Sequence, residues 1–300
     1  MQSSETPEGP PWTILRTLKW TTDYFHRLDI ENGRASAEIL LAHALQIRRI
    51  DLYLHFDQPL HSNELSNYRG QIKRRSKGEP VAYIVGHKEF WSLDLKVNPD
   101  VLIPRPETEC LVETTINRMK SMASGSLPVI LELGTGSGAI SIAMAHDFPK
   151  ARYFASDLSE AAARLARENA EQQIGSGHIA FFAGRWLDAV RKPSHGFDVI
   201  VSNPPYIRDA DIEQLAREIR DFEPRQALNG GPDGLHEIRC LINAASAFLK
   251  PGGCLIIEIG YDQKAAVESL AAKYGHYHPA SFSKDYGGHD RVAVLEKGEI

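Results

Sequence analysis

After Pro106 the sequence alternates between short apolar runs typical of buried strands and longer stretches with helical periodicity. Because such alternation requires parallel strands joined by helical crossovers, it predicts an α/β fold with helices on both faces of one sheet. Strands are expected at Val129–Leu133, Arg152–Ser156, Ile179–Ala183, Phe197–Ser202 and Cys254–Ile259. Helices are expected at Glu107–Met122, Ser137–His146, Glu160–Gln173, Gly234–Leu249 and Asp262–Tyr274. Two final strand-like runs, Tyr277–Phe282 and Arg291–Glu296, have no helix between them and predict a terminal antiparallel hairpin.

Before Gly86 the pattern is helical throughout, with three segments whose apolar residues recur at helical spacing. These segments are Trp12–Leu28, Ser36–Leu45 and a stretch that begins at Ser62. Between them and the sheet, Lys88–Pro104 alternates on either side of Asn98-Pro99-Asp100, which predicts a β-hairpin that turns there. We therefore expect a helical domain over residues 1–86, a hairpin linker over 87–105 and a sheet domain over 106–300.

Composition argues against several classes of protein. The formal net charge is -5 at pH 7, so we expect no direct nucleic-acid partner, since such proteins present a basic face to phosphates. The three cysteines, Cys110, Cys240 and Cys254, form no CxxC pair, and neither a disulfide framework nor a metal site is expected. Met1–Pro11 lacks the pattern of a secretory signal and no apolar run is long enough to span a bilayer, which predicts a cytoplasmic protein.

A glycine-rich turn, Leu131–Gly138, follows one predicted strand and opens the next helix. Glycines there let the backbone bend sharply and let a ligand approach closely, at the strand edge where open α/β sheets bind ligands. The GxGxG spacing departs from the GxGxxG dinucleotide fingerprint. By itself the turn fits NAD, a nucleotide or S-adenosylmethionine, or a tight turn with no ligand.

Asp157 ends the next predicted strand, about 20 residues after the turn, where an acidic side chain meets ribose hydroxyls in nucleotide-binding folds. A carboxylate can accept two such hydrogen bonds at once. The alternative role is an N-cap for the helix that follows. Because Ser159 could provide that cap instead, Asp157 is interpreted as a cofactor ligand.

The segment Ser202-Asn203-Pro204-Pro205-Tyr206 follows another apolar strand and is the most specific motif in the chain. Asn203 Oδ1 and the Pro204 carbonyl can each accept a hydrogen from an –NH2 group, and the Tyr206 ring can stack on its plane. Prolines fix φ and lack an N–H, so the loop is stiff before a substrate arrives. The motif predicts a clamp for a planar nitrogen, with Asn203, Pro204 and Tyr206 as catalytic residues and Pro205 as a further substrate contact.

The glycine turn, the acidic strand end and the NPPY motif together resemble S-adenosylmethionine-dependent amino-methyltransferases. Four further segments resemble the release factor N5-glutamine methyltransferases, the HemK-like family. These are Gly86–Trp91, Leu102–Glu109, Phe222–Pro224 and Asp285–Arg291. The resemblance runs from about Glu38 to near the C-terminus.

The resemblance implies a small helical N-terminal domain, a β-hairpin linker and a Rossmann-like, seven-stranded class I methyltransferase domain. It implies a reaction that methylates the glutamine of the Gly-Gly-Gln motif in class-1 peptide-chain release factors, docked on the helical domain. Phe90 and Trp91 would cover the substrate from the hairpin side, or lie buried between the domains. Arg185 stands where the family often has an aspartate. The residues implied to bind S-adenosylmethionine are Gly134, Thr135, Gly136, Ser137, Gly138, Asp157, Trp186 and Asn203.

Two other functions remain open from the sequence. A nucleic-acid amino-methyltransferase would use the same clamp on a flipped base of adenine, cytosine or guanine. A sensor or scaffold would bind S-adenosylmethionine without catalysis, because a fold does not by itself establish an activity. The acidic charge balance disfavours the first, and the intact NPPY clamp disfavours the second.

Overall fold

A computed structural model describes residues 11–122, 127–191 and 196–298. The chain forms two compact units, Met1–Val85 and Gly86–Ile300. Apart from Pro11, the N-terminal segment interpreted as lacking a secretory signal lies outside the described residues. None of the helices in the described ranges has the length and apolar content needed to cross a membrane.

The first unit is helical, as predicted. Its helices are α1 (Ile14–Arg27), α2 (Gly33–Leu45), α3 (Asp51–Leu54), α4 (Ser62–Arg75) and α5 (Val81–Val85). The helices α3 and α5 are too short to give a periodic pattern and were not predicted. The side chains that form the buried core of this unit include Ile14, Leu18, Phe25, Leu40, Leu41, Leu52, Tyr68 and Ile72.

The second unit begins with a β-hairpin, but its turn lies earlier than the sequence predicted. Strands β1 (His87–Phe90) and β2 (Leu93–Lys96) pair antiparallel. Trp91 and Ser92 form the turn with φ of 54° and 59°, the left-handed values that a tight two-residue hairpin turn requires. The predicted turn at Asn98–Asp100 is a separate bend, in which Asn98 Oδ1 accepts from Asp100 N at 3.0 Å.

The hairpin packs on the sheet domain through polar contacts with one helix. Lys96 N donates to Asn169 Oδ1 at 2.9 Å, and Asn169 Nδ2 donates back to Lys96 O at 3.0 Å. Gln173 Nε2 donates to Asp94 O at 2.6 Å. The buried Asn169 also donates to Ser137 O at 2.8 Å, so the same side chain ties the hairpin to the glycine-rich turn.

The rest of the second unit is a seven-stranded sheet with helices on both faces, which confirms the predicted fold class. Its strands are β3 (Val129–Leu133), β4 (Arg152–Asp157), β5 (Ile179–Ala183), β6 (Phe197–Ser202), β7 (Leu249–Glu258), β8 (Ser281–Lys284) and β9 (Asp290–Glu296). Their order is β5-β4-β3-β6-β7-β9-β8. The first five strands are parallel, and β9 pairs antiparallel with both β7 and β8.

Alternate residues of each central strand face opposite helix layers, so each layer has its own apolar core. Ile130 packs with the helices α6 (Glu109–Met122), α7 (Ala139–Asp147) and α8 (Glu160–Ile174), whereas Leu131 packs with α11 (His236–Ala245) and α12 (Lys264–Tyr274). Two short helices, α9 (Asp209–Ile212) and α10 (Arg217–Arg220), follow the NPPY segment. Single-turn 3₁₀ helices lie at Pro106–Thr108 and Arg225–Ala227.

Two predicted element bounds differ from the structure for local reasons. Strand β7 begins at Leu249, where the sequence predicted helix, because Leu249 already pairs with Phe197 before a register shift in the ladder. Strand β8 begins at Ser281, later than predicted. Tyr277 makes only an isolated bridge with Lys297, and Pro279 has no N–H to donate to a ladder.

Candidate active site

The glycine-rich turn is held at the carboxyl edge of β3 by its neighbour strand. Gly134 N and Thr135 N both donate to Ser156 O, at 2.8 and 2.9 Å. Beneath the turn lies the fully buried carboxyl of Glu132, which accepts from Thr135 Oγ1 at 2.8 Å and from Ser141 N at 3.1 Å. Burial raises the pKa of Glu132 to about 7, against the effect of these hydrogen bonds. Through these hydrogen bonds Glu132 holds the turn in shape. The sequence did not predict this role.

Gly138 was predicted to bind the cofactor, but the structure gives it a packing role. It has a φ of +85° at the start of α7 and does not line the cavity beside Gly134–Ser137. A Cβ at this position would lie 2.9 Å from Ile142 Cδ1 and 3.2 Å from Ala166 Cα. The absent side chain lets α7 approach α8.

Replacement of Gly138 by alanine is therefore expected to lower the free energy of unfolding by roughly 2–4 kcal/mol, through left-handed strain and overpacking. Thermal or denaturant unfolding measures this change. Gly177→Ala is the matched control, since Gly177 has a φ of +83° but open space around its Cβ direction. Equal losses in both variants would contradict the packing role.

Asp157 lies at the end of β4 with its carboxylate beside the glycine turn. Its Oδ2 accepts from Gly136 N at 2.8 Å and its Oδ1 from Ser159 N at 2.9 Å. Ser159 caps α8, since its Oγ accepts from Ala162 N at 3.2 Å. Burial raises the pKa of Asp157, and the backbone hydrogen bonds oppose that rise. Each carboxylate oxygen keeps a lone pair for a further donor such as a ribose hydroxyl.

The Trp186 indole lies beside the glycine turn, and its Cζ3 would be 3.5 Å from a Cβ on Gly134. Its Nε1 donates to Glu237 Oε2 at 2.5 Å, which fixes the ring by a contact from α11. Arg185 Nη2 lies 3.8 Å from the other oxygen of Glu237, with half of its side chain exposed. The residue that replaces the family aspartate thus pairs with the carboxylate that holds Trp186.

These residues surround a first cavity of about 360 Å³, a volume within the range of small-molecule sites. Gly134, Thr135, Gly136 and Ser137 line one side, and Asp157 and Trp186 line others. The cavity fits S-adenosylmethionine, because it combines side-chain-free backbone, an aromatic face and a carboxylate for the ribose. Three lining residues, Leu102, Pro104 and Arg105, belong to a segment that the sequence singled out without a role. The sequence did not single out the lining residues Leu158, Gln226 and Glu237.

Asn203 lies where this first cavity meets a second cavity of about 340 Å³. Its Nδ2 donates to Thr108 Oγ1 at 3.2 Å. No described residue donates to its Oδ1, so the amide has its donor end occupied and its acceptor end available. Pro205 lines the first cavity and Pro204 the second, so the NPPY segment forms the wall between them.

Polar and charged side chains surround Tyr206 in the second cavity. The Tyr206 hydroxyl donates to Glu258 Oε1 at 3.2 Å, and burial raises the pKa of the phenol. Arg291 lines the same cavity, held by Asp285 at 3.1 Å and by the carbonyl of Ile259 at 3.3 Å. The Asp285–Arg291 segment was noted in the sequence without a role. The structure places its arginine in the second cavity.

A buried ion pair joins two other motif segments at the rim of both cavities. Glu223 Oε1 lies 2.5 Å from Arg105 Nη2, and Glu223 Oε2 accepts from Ile103 N at 3.1 Å. The Glu223 side chain is almost fully buried. This carboxylate therefore ties Phe222–Pro224 to Leu102–Glu109 beside the cavities.

Phe90 and Trp91, predicted to cover the substrate, do not line either of these cavities. Phe90 is buried in the core of the second unit with Leu93 and Leu95. Trp91 Nε1 donates to Asp147 Oδ2 at 2.8 Å, and its backbone N donates to Glu109. The tight turn at Trp91 directs Phe90 inward, as in the buried alternative, and ties Trp91 to the end of α7.

Fold and site together define a class of protein. The fold, with antiparallel β9 between β7 and β8, is similar overall to that of a methyltransferase from Pyrococcus furiosus (TM-score 0.50, 22% identity, 78% of this chain and 100% of that one). A human methyltransferase 10 domain containing protein gives a TM-score of 0.51 at 15% identity, over 70% of this chain and 90% of that one. Residues 130–222 match the methyltransferase domain family, and with this match the fold and site make the protein an S-adenosylmethionine-dependent methyltransferase of class I.

Sequence comparisons then give the family. Residues 16–86 match the family described as PrmC N-terminal domain. The release factor glutamine methyltransferase of Rhodopirellula baltica is 40% identical over 98% of this chain and 99% of its own length. That of Geobacter sulfurreducens is 40% identical over 96% and 98%. The chain belongs to the release factor glutamine methyltransferase family.

Proposed function

We propose that this enzyme transfers the methyl group of S-adenosylmethionine to the side-chain amide nitrogen, N5, of the glutamine in the Gly-Gly-Gln motif of class-1 peptide-chain release factors. The observation that carries the proposal is the orientation of Asn203. Its amide lies between the two cavities with Nδ2 tied to Thr108 and Oδ1 available. An acceptor in that position matches an –NH2 group presented from the second cavity.

The chain's residues act mainly by alignment. An amide nitrogen is a poor nucleophile, because its lone pair is delocalised into the carbonyl. When bound, S-adenosylmethionine supplies the methyl group in activated sulfonium form. Correct orientation of two reactants can contribute roughly 7–11 kcal/mol to lowering a barrier. Pro204 and Pro205 make the wall between the cavities stiff, so little conformational freedom is lost when the glutamine enters.

Asn203 also stabilises the charge that develops during transfer. As the nitrogen forms its new bond it becomes positive, and its two hydrogens become stronger donors. Asn203 Oδ1 and the Pro204 carbonyl accept those hydrogens, a preorganised arrangement that favours the transition state over the ground state. After the new bond has formed, the nitrogen loses its proton to water.

The nearest alternative is methylation of an exocyclic base nitrogen in nucleic acid. The formal charge of -5 and the high identity to named release factor glutamine methyltransferases both favour the protein substrate. The test is transfer of label from S-adenosylmethionine to a purified class-1 release factor, to its Gln→Ala tip variant, and to DNA and RNA. We expect label on the unmodified factor alone. Label on nucleic acid would overturn the substrate proposal.

The helical domain over residues 1–86 would dock the release factor. Four large apolar side chains around α3, those of Ile50, Tyr53, Leu54 and Phe56, are at least half exposed. Exposed apolar surface of this kind is typical of a protein contact. Exposed Leu15 extends the surface, since its N–H donates to the carbonyl of Phe56 at 2.9 Å.

Replacement of both Leu54 and Phe56 by serine is therefore expected to raise the KM for the release factor roughly tenfold, with kcat unchanged. Steady-state kinetics with varied release factor measures this, and Leu127→Ser, at an exposed leucine of the other unit, is the control. A KM equal to that of the wild-type enzyme would remove the docking role.

A further inference from the structure

Glu258 is a buried carboxyl beside the second cavity. The mechanism above does not use it. It ends β7, lines the second cavity and has a relative exposure of only 1%. Its Oε1 accepts from the Tyr206 hydroxyl, and its Oε2 makes no hydrogen bond of good geometry within the described part of the chain. Burial of such a group is costly, so its presence here requires a local reason.

The groups around Glu258 come from three different segments. Tyr206 and Thr108 hydroxyls and the Arg291 guanidinium favour its charged form, and Glu107 opposes it. Burial is the largest influence and raises the pKa of Glu258 to about 7. Arg291 is itself held in place by Asp285 at 3.1 Å. The carboxyl thus sits in an environment where its charge can change near neutral pH.

Thr108 neighbours both Asn203 and Glu258 and could connect them. Asn203 Nδ2 donates to Thr108 Oγ1, so the single hydrogen of the Thr108 hydroxyl is available for another acceptor. The Thr108 side chain lies close enough to Glu258 to lower its pKa by hydrogen bonding. An ionised carboxylate only accepts, so a Thr108 hydroxyl turned toward Glu258 donates to it and still accepts from Asn203.

We propose that Glu258 is a positioning residue of the acceptor site: its buried carboxylate orients the Tyr206 ring directly and the Asn203 amide through Thr108. This inference rests on the proposed function, since it concerns the presentation of Asn203 Oδ1 to an acceptor –NH2 group. A protonated Glu258 could donate to Thr108 and reverse the chain of hydrogen bonds. The Thr108 hydrogen would then be free to point toward Asn203, which would favour the flipped amide with Oδ1 on Thr108 and Nδ2 toward the substrate.

The first test uses Glu258→Gln and Thr108→Val, with Thr108→Ser as the conservative variant that keeps the hydroxyl. Glu258→Gln and Thr108→Val are each expected to lower kcat roughly ten- to hundredfold, while the calorimetric affinity for S-adenosylmethionine stays within a factor of about 2. The double variant is expected to be little worse than either single one, because both break the same connection. Thr108→Ser should keep most of the activity, and Glu296→Gln on β9 is the control.

The pH profile separates positioning from a structural role. If the ionised carboxylate orders the site, kcat of the wild-type enzyme rises with pH through about 7, where Glu258 loses its proton. Glu258→Gln has no group to titrate there, so its profile should be flat across that interval. An unchanged kcat and profile in Glu258→Gln would overturn the proposal. So would a loss of cofactor affinity as large as the loss of turnover.

A measurement that does not depend on turnover keeps this inference distinct from the proposed substrate. In protein labelled with ¹⁵N-asparagine, the Asn203 side-chain signal is assigned by its absence in Asn203→Asp. Its hydrogens should exchange with solvent more slowly in the wild-type enzyme than in Glu258→Gln or Thr108→Val. Equal exchange in all three would overturn the positioning role. A wild-type enzyme that fails to label the release factor would instead contradict the proposed function.

Discussion

Replacement of Asn203 by alanine is expected to lower kcat for methyl transfer by roughly 10²- to 10³-fold. The reason is that Asn203 Oδ1 is available at the boundary of the two cavities and would accept a hydrogen that becomes a stronger donor in the transition state. Affinity for S-adenosylmethionine should change by a factor of about 3 or less, because the cofactor contacts assigned to the glycine turn and Asp157 remain. Single-turnover transfer of label, beside calorimetry with the cofactor, measures both quantities.

Asn117→Ala, at an exposed position of α6, is the control for the loss of an asparagine. Asn203→Asp keeps an acceptor oxygen but loses the donor to Thr108, so it should fall between the alanine variant and the wild-type enzyme. Equal turnover in Asn203→Ala and the wild-type enzyme would remove the clamp from the mechanism. A large loss of cofactor affinity would assign Asn203 to the cofactor side instead.

The second large effect is expected at Asp157. Its replacement by alanine removes a carboxylate that would accept from the ribose hydroxyls, and it also frees Gly136 N from the hydrogen bond at 2.8 Å that shapes the turn. Because hydrogen bonds to charged groups contribute about 1.5–3 kcal/mol each, the dissociation constant for S-adenosylmethionine should rise by roughly 10²-fold. Isothermal calorimetry with S-adenosylmethionine measures this directly.

Asp157→Asn is the matched variant, since it keeps the shape and one acceptor oxygen but not the charge. Its affinity should lie between those of Asp157→Ala and the wild-type enzyme, and kcat at saturating cofactor should be largely retained in both variants. An unchanged affinity in Asp157→Ala would contradict the ribose role. Asn203 is therefore expected to affect turnover, whereas Asp157 is expected to affect cofactor binding.

The sheet could be predicted because its strands are short apolar runs, most of which are separated by helices with their own periodicity. Val129–Leu133, Ile179–Ala183 and Phe197–Ser202 were predicted with the bounds that the structure has. The positions of the glycine turn and Asp157 could be predicted because both follow directly from a strand end. These features depend on neighbours in the sequence, which is why local patterns revealed them.

The hairpin turn was misplaced because nothing in the residue types of Trp91 and Ser92 favours a left-handed φ. Asn98-Pro99-Asp100 is the stronger turn sequence. It does form a bend, but that bend follows strand β2 and does not join the two strands of the hairpin. The environments of Phe90 and Trp91 depend on this turn and were not predicted either. A tight turn there makes Phe90 a core residue.

Residues that meet only in three dimensions could not be assigned from the sequence. Glu223 bonds to the N–H of Ile103, and Thr108 bonds to Asn203, across long separations along the chain. In the sequence Glu258 is a polar residue near the end of an apolar run. Only the structure shows that it is buried and that it accepts from the Tyr206 hydroxyl. Gly138 is a glycine like Gly134 and Gly136, but it packs against helix α8 and does not line the cavity.

The most direct measurement of the central claim is the position of the methyl group on a class-1 release factor treated with the enzyme and S-adenosylmethionine. Tandem mass spectrometry locates it along the chain, and acid hydrolysis of the labelled product identifies the atom that carries it. We expect one methyl group on the tip glutamine and release of labelled methylamine, since hydrolysis of an N-methylated side-chain amide yields that amine. A methyl group on another residue, or label that stays on the peptide after hydrolysis, would contradict transfer to the glutamine nitrogen.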